Sequence, residues 1–167
     1  MPAPRTLTIA WEDPRTHSWK SRPMSGMDYL RAIRDGTVKP PPAAALIGYR
    51  LVRVEEGKTI FELQPAEQHY NPFESVHGGV AAVILDTAMT SAVMTVLDER
   101  HVCSTIEMKV NFIRPITRQA KIVRSEGHLI HAGERLASAQ GRVTDGTGRL
   151  LAHGTGTCMI FKRPAVE

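Results

Sequence analysis

Three groups of residues between positions 71 and 86 have the chemistry of a site. Asp86 lies in the run 80–97, which lacks Pro and Gly and carries Ala, Val, Ile, Leu and Met on nearly every face. Such a pattern predicts one buried helix, and a carboxylate inside it is costly unless paired, hydrogen-bonded or kept protonated. A residue that breaks the local rule is the first place to look for function. Immediately before the run stands His77-Gly78-Gly79, which reads as a turn. Backbone N–H groups at Gly78 and Gly79 would then sit unsatisfied in the positive field of a helix start, and glycine lets another group come close. A base on the helix and donors at its start suit attack on a carbonyl: one takes a proton, the others hold the charge that develops on oxygen.

Each residue also has a plainer reading. Asp86 can be a structural acid satisfied by Thr90, one turn on, or by backbone. Gly78 and Gly79 can form a tight turn or permit close packing. Asn71 before Pro72 is a good turn residue on local grounds alone. His77 suits a hydrogen-bonding role at the helix start better than that of a base, and Thr105 is an ordinary β-branched strand residue.

The elements that must position these groups follow from periodicity and turn chemistry. Residues 1–24 hold Pro2, Pro4, Pro14 and Pro23 and show no period, which predicts an arm; Trp11 and Trp19 either anchor it, on its own domain or a neighbouring subunit, or stand partly exposed on a loose tail, and a single domain covers 25–167. A short amphipathic helix is expected over 25–35, with Ser25 as N-cap and Gly36 as its stop, and Pro40-Pro41-Pro42 reads as an extended connector. Strands 49–54 and 59–63 form a hairpin at Glu56-Gly57. Beyond the long helix, four strand patterns cover 105–113, 120–130, 135–144 and 149–161. Small residues alternate in the last two, at Ala137, Ala139 and Gly141 and at Ala152, Gly154 and Gly156. They let a helix approach a sheet closely. The fold class is therefore α+β, a curved antiparallel sheet wrapped around a long central helix, with an edge strand left to pair with a second copy.

With this order in place, the chain resembles the hotdog-fold acyl-CoA thioesterases of the phenylacetate-degradation (PaaI-like) type. The resemblance rests on Asn71-Pro72-Phe73-Glu74-Ser75-Val76-His77-Gly78-Gly79, the helix carrying Asp86, the strand from Thr105 to Pro115 and the small-residue hairpin, and covers roughly 30–161. It implies hydrolysis of an acyl-CoA to acid and free coenzyme A, a homodimer or a homotetramer, and active sites at the subunit interface. Asp86 would be base or nucleophile, contributed by the partner's helix; the Gly78 N–H would polarise the carbonyl, and Asn71 would orient water or substrate. Thr105 occupies the place of a strand Ser or Thr that contributes in some relatives. His77, Gly79, Thr90 and Arg114 would line the substrate site. Glu74 departs from the pattern, since many relatives have Gly there. A medium-chain or aryl acyl group is expected, and the depth of its pocket depends on how Met89, Val93, Phe73 and the arm pack across the interface.

Composition narrows the partners. A net charge of +4 and only 5% aromatic residues fit an anionic small molecule at least as well as nucleic acid, and no helix or strand carries a dense Lys/Arg stripe. Arg114, Arg118, Lys121 and Arg124 are candidates for coenzyme A phosphates. Cys103 and Cys158, far apart and without Cys/His clustering, predict neither a disulfide scaffold nor a metal site, and no cofactor is needed beyond the coenzyme A of the substrate. Nothing reads as a signal peptide or membrane span, so a cytoplasmic location is expected. Two rival functions remain. One is a hotdog hydratase or dehydratase using His69 with Asp86; the other is a non-catalytic acyl-CoA-binding module.

Overall fold

The computed structural model describes residues 3–163. In chain order the elements are α1 (Pro14–His17), a 3-10 turn at Trp19–Ser21, α2 (Gly26–Arg34), α3 (Pro42–Ile47), β1 (Tyr49–Glu55) and β2 (Lys58–Leu63). A 3-10 turn at Glu67–His69 leads to α4 (Gly78–Met94), followed by β3 (His101–Phe112), β4 (Val123–Ala132), β5 (Leu136–Asp145) and β6 (Leu150–Lys162). The strands form one antiparallel sheet in the order β1-β2-β4-β5-β6-β3, so β3 is an edge. The central helix packs on its inner face, as the alternating small residues require.

The apolar side of α4 is deeply buried: Ile84, Leu85, Ala88, Met89, Ala92 and Val93 are at most 1% exposed. Each large side chain among them contributes about 1.5–3 kcal/mol. The helix is seated by two sheet hydroxyls, Ser125 donating to the Ile84 carbonyl at 2.9 Å and Thr59 to the Ala88 carbonyl at 2.8 Å. Thr59 pairs across the ladder with Gly127, where an added Cβ would lie 2.2 Å from the Ala88 oxygen. Helix and sheet therefore meet backbone to backbone at Ala88.

Three expectations need correction. The helix begins at Gly78 and ends at Met94, so the two glycines are its first turn instead of a turn before it. His77 is the cap that makes this possible, its Nδ1 accepting the Gly79 N–H. Second, α4 is not buried all round: Gly79 and Val83 are exposed, and Ala82, Asp86, Thr87 and Thr90 are half-buried, a stripe at helical spacing that the sheet does not cover. Third, Pro42 does not extend the connector but opens α3, which Gly48 ends in the left-handed region at φ 82°. Proline at a first helical position and glycine past the last are the expected punctuation.

The short helix α2 is capped by Ser25 as expected. In the arm Trp19 is buried, stacking on Tyr29 with Arg163 over its ring, whereas Trp11 is 61% exposed. No helix among the described residues is long and apolar enough to cross a membrane.

Replacement of Gly127 by Ala is expected to cost about 3 kcal/mol, because backbone must move to admit the methyl. At Gly141 the nearest atoms to the same methyl are the side-chain carbons Leu85 Cδ2 and Met89 Cγ at 3.0 Å, with the Glu126 backbone oxygen at 3.3 Å, so the loss there is smaller. Urea unfolding of the two variants beside the parent checks the ranking.

Candidate active site

Asp86 faces away from the seat at Ala88, because two residues along a helix turn it by about 200°. It points toward β3, where the Thr105 hydroxyl donates to Asp86 Oδ1 at 2.7 Å. Thr90 lies 2.6 Å from the Thr105 oxygen and 3.4 Å from the same carboxylate oxygen. No cation pairs with Asp86 and no protein group bonds its Oδ2 among the described residues. Thus Asp86, Thr90 and Thr105 come together, with one carboxylate oxygen held and the other open. The β3–β6 ladder shifts register between Thr105 and Glu107, a bulge that re-aims the strand beside the carboxylate.

At the other end of α4 a cleft of about 360 Å³ is lined by residues that include Asn71, Gly78, Phe112 and Arg114. The two glycine donors divide here. Gly79 gives its N–H to the His77 ring, at 2.9 Å, whereas the Gly78 N–H has no protein acceptor among the described residues. His77 is a cap, and its Nδ1, used as acceptor, places the ring hydrogen on Nε2. Asn71 Oδ1 accepts from the Phe73 N–H at 2.9 Å and from the Ser75 N–H and hydroxyl at 3.4 and 3.3 Å, which fixes the loop. Its amide NH2 has no acceptor among the described residues, and Asn71 is part of the cleft wall. Arg114 stands at the rim, donating to the Leu150 carbonyl at 2.8 Å.

Gly78 and Asp86 are eight positions apart on one helix, about 12 Å along its axis. The chain therefore brings together Asp86, Thr90 and Thr105 in one place, and Asn71, Gly78 and Arg114 in another.

A further pocket, of about 310 Å³, lies between α2, α3, β1, β2 and α4, and Tyr49, Leu51, Phe61, Thr87, Ser91 and Met94 are among its walls. Burial pushes the Tyr49 hydroxyl above its usual range, the neighbouring Thr87 hydroxyl opposing this and the Asp86 charge adding to it. Met89 and Val93, expected to shape a pocket, pack instead against the sheet, and Phe73 is 87% exposed. Helical spacing alone did not say which face of α4 the sheet would take. His69 is buried, its Nδ1 accepting the Ala66 N–H at 3.1 Å; burial holds the ring below the usual histidine range, the Ile47 carbonyl opposing. It shares no pocket with Asp86. The cavity of about 480 Å³ beneath the arm, walled by Trp11, Trp19 and Pro40–Pro42, contains none of these residues.

Sequence reasoning missed Tyr49 and the cysteines. Cys158 lies beside both threonines, its sulfur 3.8 Å from Thr90 Oγ1 and 3.9 Å from Thr105 Oγ1. The signal was available in the strand period, since 152, 154, 156 and 158 share a face, as do 103 and 105. No group of three or more His, Cys, Asp or Glu residues fit to hold a metal occurs among the described residues.

A long helix held in a curved antiparallel sheet, with an open carboxylate in mid-helix and a free N–H at its start, defines the hotdog class. The family profile described as Thioesterase superfamily matches residues 73–152. Acyl-coenzyme A thioesterase 13 of Mus musculus is 32% identical over 109 residues, 64% of this chain and 76% of that protein. The 1,4-dihydroxy-2-naphthoyl-CoA hydrolase of Listeria monocytogenes is 27% identical over 117 residues, 70% of this chain and 94% of that one. Among solved structures, a phenylacetic acid degradation-related protein of Ralstonia eutropha superposes with a TM-score of 0.71 at 25% identity, over 78% of this chain and 98% of that one. The PaaI protein of E. coli superposes at 0.70 with 16% identity, over 82% and 96% of the two chains, a likeness of fold. This chain belongs to the thioesterase superfamily and is a thioester hydrolase of the hotdog, PaaI-like type.

Glu74, which stands where the resemblance implies Gly, adopts the left-handed conformation itself, at φ 57°. A non-glycine residue there costs roughly 1–2 kcal/mol, part of which the lower chain entropy of the unfolded state returns. Glu74→Gly is expected to raise stability by up to about 1 kcal/mol in urea unfolding, and Glu74→Val to lower it.

Proposed function

We propose that two copies of this chain pair through the uncovered stripe of α4 and the free edge of β3, and that the pair hydrolyses medium-chain or aryl acyl-CoA thioesters. One observation carries the reading: the free N–H lies at the start and the open carboxylate in the middle of one helix, with a stripe between them that the sheet leaves uncovered. The midpoint of positions 78 and 86 is Ala82, beside the exposed Val83. A two-fold axis there sets two helices antiparallel and brings Gly78 of each to Asp86 of the other, since an isologous contact pairs i with j and j with i. Exposed Ile106 and Phe112 on β3 would be covered by the same association.

In the resulting site a water between Asp86 and the thioester carbon attacks the carbonyl. Asp86 Oδ2 takes its proton, while the Gly78 N–H and the Asn71 amide hold the negative oxygen, and the coenzyme A thiolate leaves. Loss of one such donor in known enzymes costs about 2.7–4 kcal/mol of transition-state stabilisation. Thr105 and Thr90 position the carboxylate. The apolar pocket behind Thr87 receives the acyl group, its size falling at the low end of the roughly 300–1,000 Å³ usual for ligand sites. Arg114 at the cleft rim, with Arg118 and Lys121 further along the same loop, meets the phosphates. No cofactor enters beyond the coenzyme A of the substrate.

The hydratase reading is less well supported because His69 is buried with its Nδ1 engaged by the Ala66 N–H. A purely binding role leaves the open carboxylate oxygen without a use. Free thiol release from short, medium, long and aryl acyl-CoAs decides between them. Turnover of medium-chain or aryl substrates is expected, falling about 10³-fold in Asp86→Asn with binding retained. Absence of thiol release across the panel would contradict the proposal.

A further inference from the structure

The two cysteines lie on the inner face of the sheet, next to the Asp86 cluster. In the β3–β6 ladder Cys103 faces Ile160 and Thr105 faces Cys158, so Cys103 and Cys158 are diagonal neighbours on one face. Diagonal positions are about 7–8 Å apart, beyond the usual reach of a disulfide without backbone movement. The pair is therefore a pair of thiols, and its neighbours are hydroxyls. Cys158 is 2% exposed, behind Thr90 and Thr105 as seen from the substrate side, so it cannot reach a thioester.

Hydrogen counting fixes the direction of the bonds. Thr90, Thr105, Cys103 and Cys158 each have one side-chain hydrogen, and a carboxylate only accepts. Thr105 gives its hydrogen to Asp86 at 2.7 Å, so at 2.6 Å from Thr105 it is Thr90 that donates. Thr90 is then an acceptor toward Cys158, whose S–H lies 3.8 Å away. Cys103 stands behind Cys158: hydrogen bonding between the two thiols is the main influence lowering the Cys158 thiol and raising that of Cys103, with burial raising both.

We propose that Cys158 is a positioning residue for the hydrolysis: its S–H begins an ordered chain through Thr90 and Thr105 that pins Asp86 Oδ1 and leaves Oδ2 as the reactive oxygen. The inference rests on Asp86 being the base. When Cys158 ionises, the Thr90 hydrogen turns to the sulfur and the chain reverses, so a thiolate at one end and a carboxylate at the other oppose each other. The groups facing Cys158 are Asp86 and Thr90 from α4 and Cys103 and Thr105 from β3; Tyr49 of β1 faces the Asp86 end.

Two measurements test this. In the first, kcat and KM are compared for the parent, Cys158→Ala and Cys158→Ser, per folded protein. The expected result is a kcat about five-fold lower in the alanine variant with KM unchanged, and near-parental kcat in serine, which keeps a donor. Equal losses in both variants, or parental kcat in alanine, would overturn the inference. The second does not depend on turnover: the ultraviolet absorbance of the Cys158 thiolate is followed against pH in Cys103→Ser, with and without Asp86→Asn. Removal of the carboxylate charge is expected to move the thiol titration down by about half a pH unit or more. An unmoved titration overturns the coupling, and this arm also decides if Cys158→Ala fails to fold. An inactive parent would sink the hydrolase reading, whereas the titration would still report whether thiol and carboxylate are joined.

Discussion

Everything in the site depends on how closely α4 can lie on the sheet. At Gly127 the strand has no side chain, and the Ala88 carbonyl occupies the space a methyl would take. The Thr59 and Ser125 hydroxyls then bind helix carbonyls from the same side, at Ala88 and Ile84. Contact between backbones leaves little freedom of rotation or sliding. With Ala88 fixed inward, helix geometry alone sends Asp86 toward β3 and leaves Gly79, Ala82, Val83 and Asp86 uncovered.

The same rigid helix separates the two chemical groups. One end presents a backbone N–H without an acceptor, and the middle a carboxylate oxygen without a donor, among the described residues. A single helix cannot bend about 12 Å to join them, which is why the proposed hydrolytic site draws on a second copy. In that pairing the uncovered stripe, an unfavourable surface for a lone chain, would be the interface that completes the site.

Much of this was legible in the sequence. The absence of Pro and Gly after Gly79, the alternation of small residues in the last hairpin and the isolation of Asp86 each pointed to the helix, its seat and its site. Thr90, expected to bond Asp86, lies 3.4 Å from the carboxylate oxygen and makes its short contact, at 2.6 Å, with Thr105. Other features were not legible, for physical reasons. A helix apolar on every face does not reveal which side meets the sheet, so the pattern does not tell that Met89 and Val93 are buried against it while Thr87, Ser91 and Met94 line a pocket. A capping histidine withdraws one of two identical glycine donors, and only its ring position shows which. Gly127, where helix and sheet meet backbone to backbone, stands alone in its strand and lacks the repeating pattern that marks the other small residues. Cys103 and Cys158 are joined by strand register, which a spacing of 55 residues conceals.

The central claim is that base and donor come from different subunits. Proline is tolerated at the first position of a helix and removes only the N–H there, so Gly78→Pro deletes the donor, provided the exposed Phe112 ring swings aside. Asp86→Asn deletes the base. Each variant alone should be inert, and a mixture in which subunits have exchanged should recover about a quarter of parental turnover, because half the pairs are mixed and each holds one intact site. Mixed pairs that form yet remain inert would contradict the account and place both groups of a working site in the same chain.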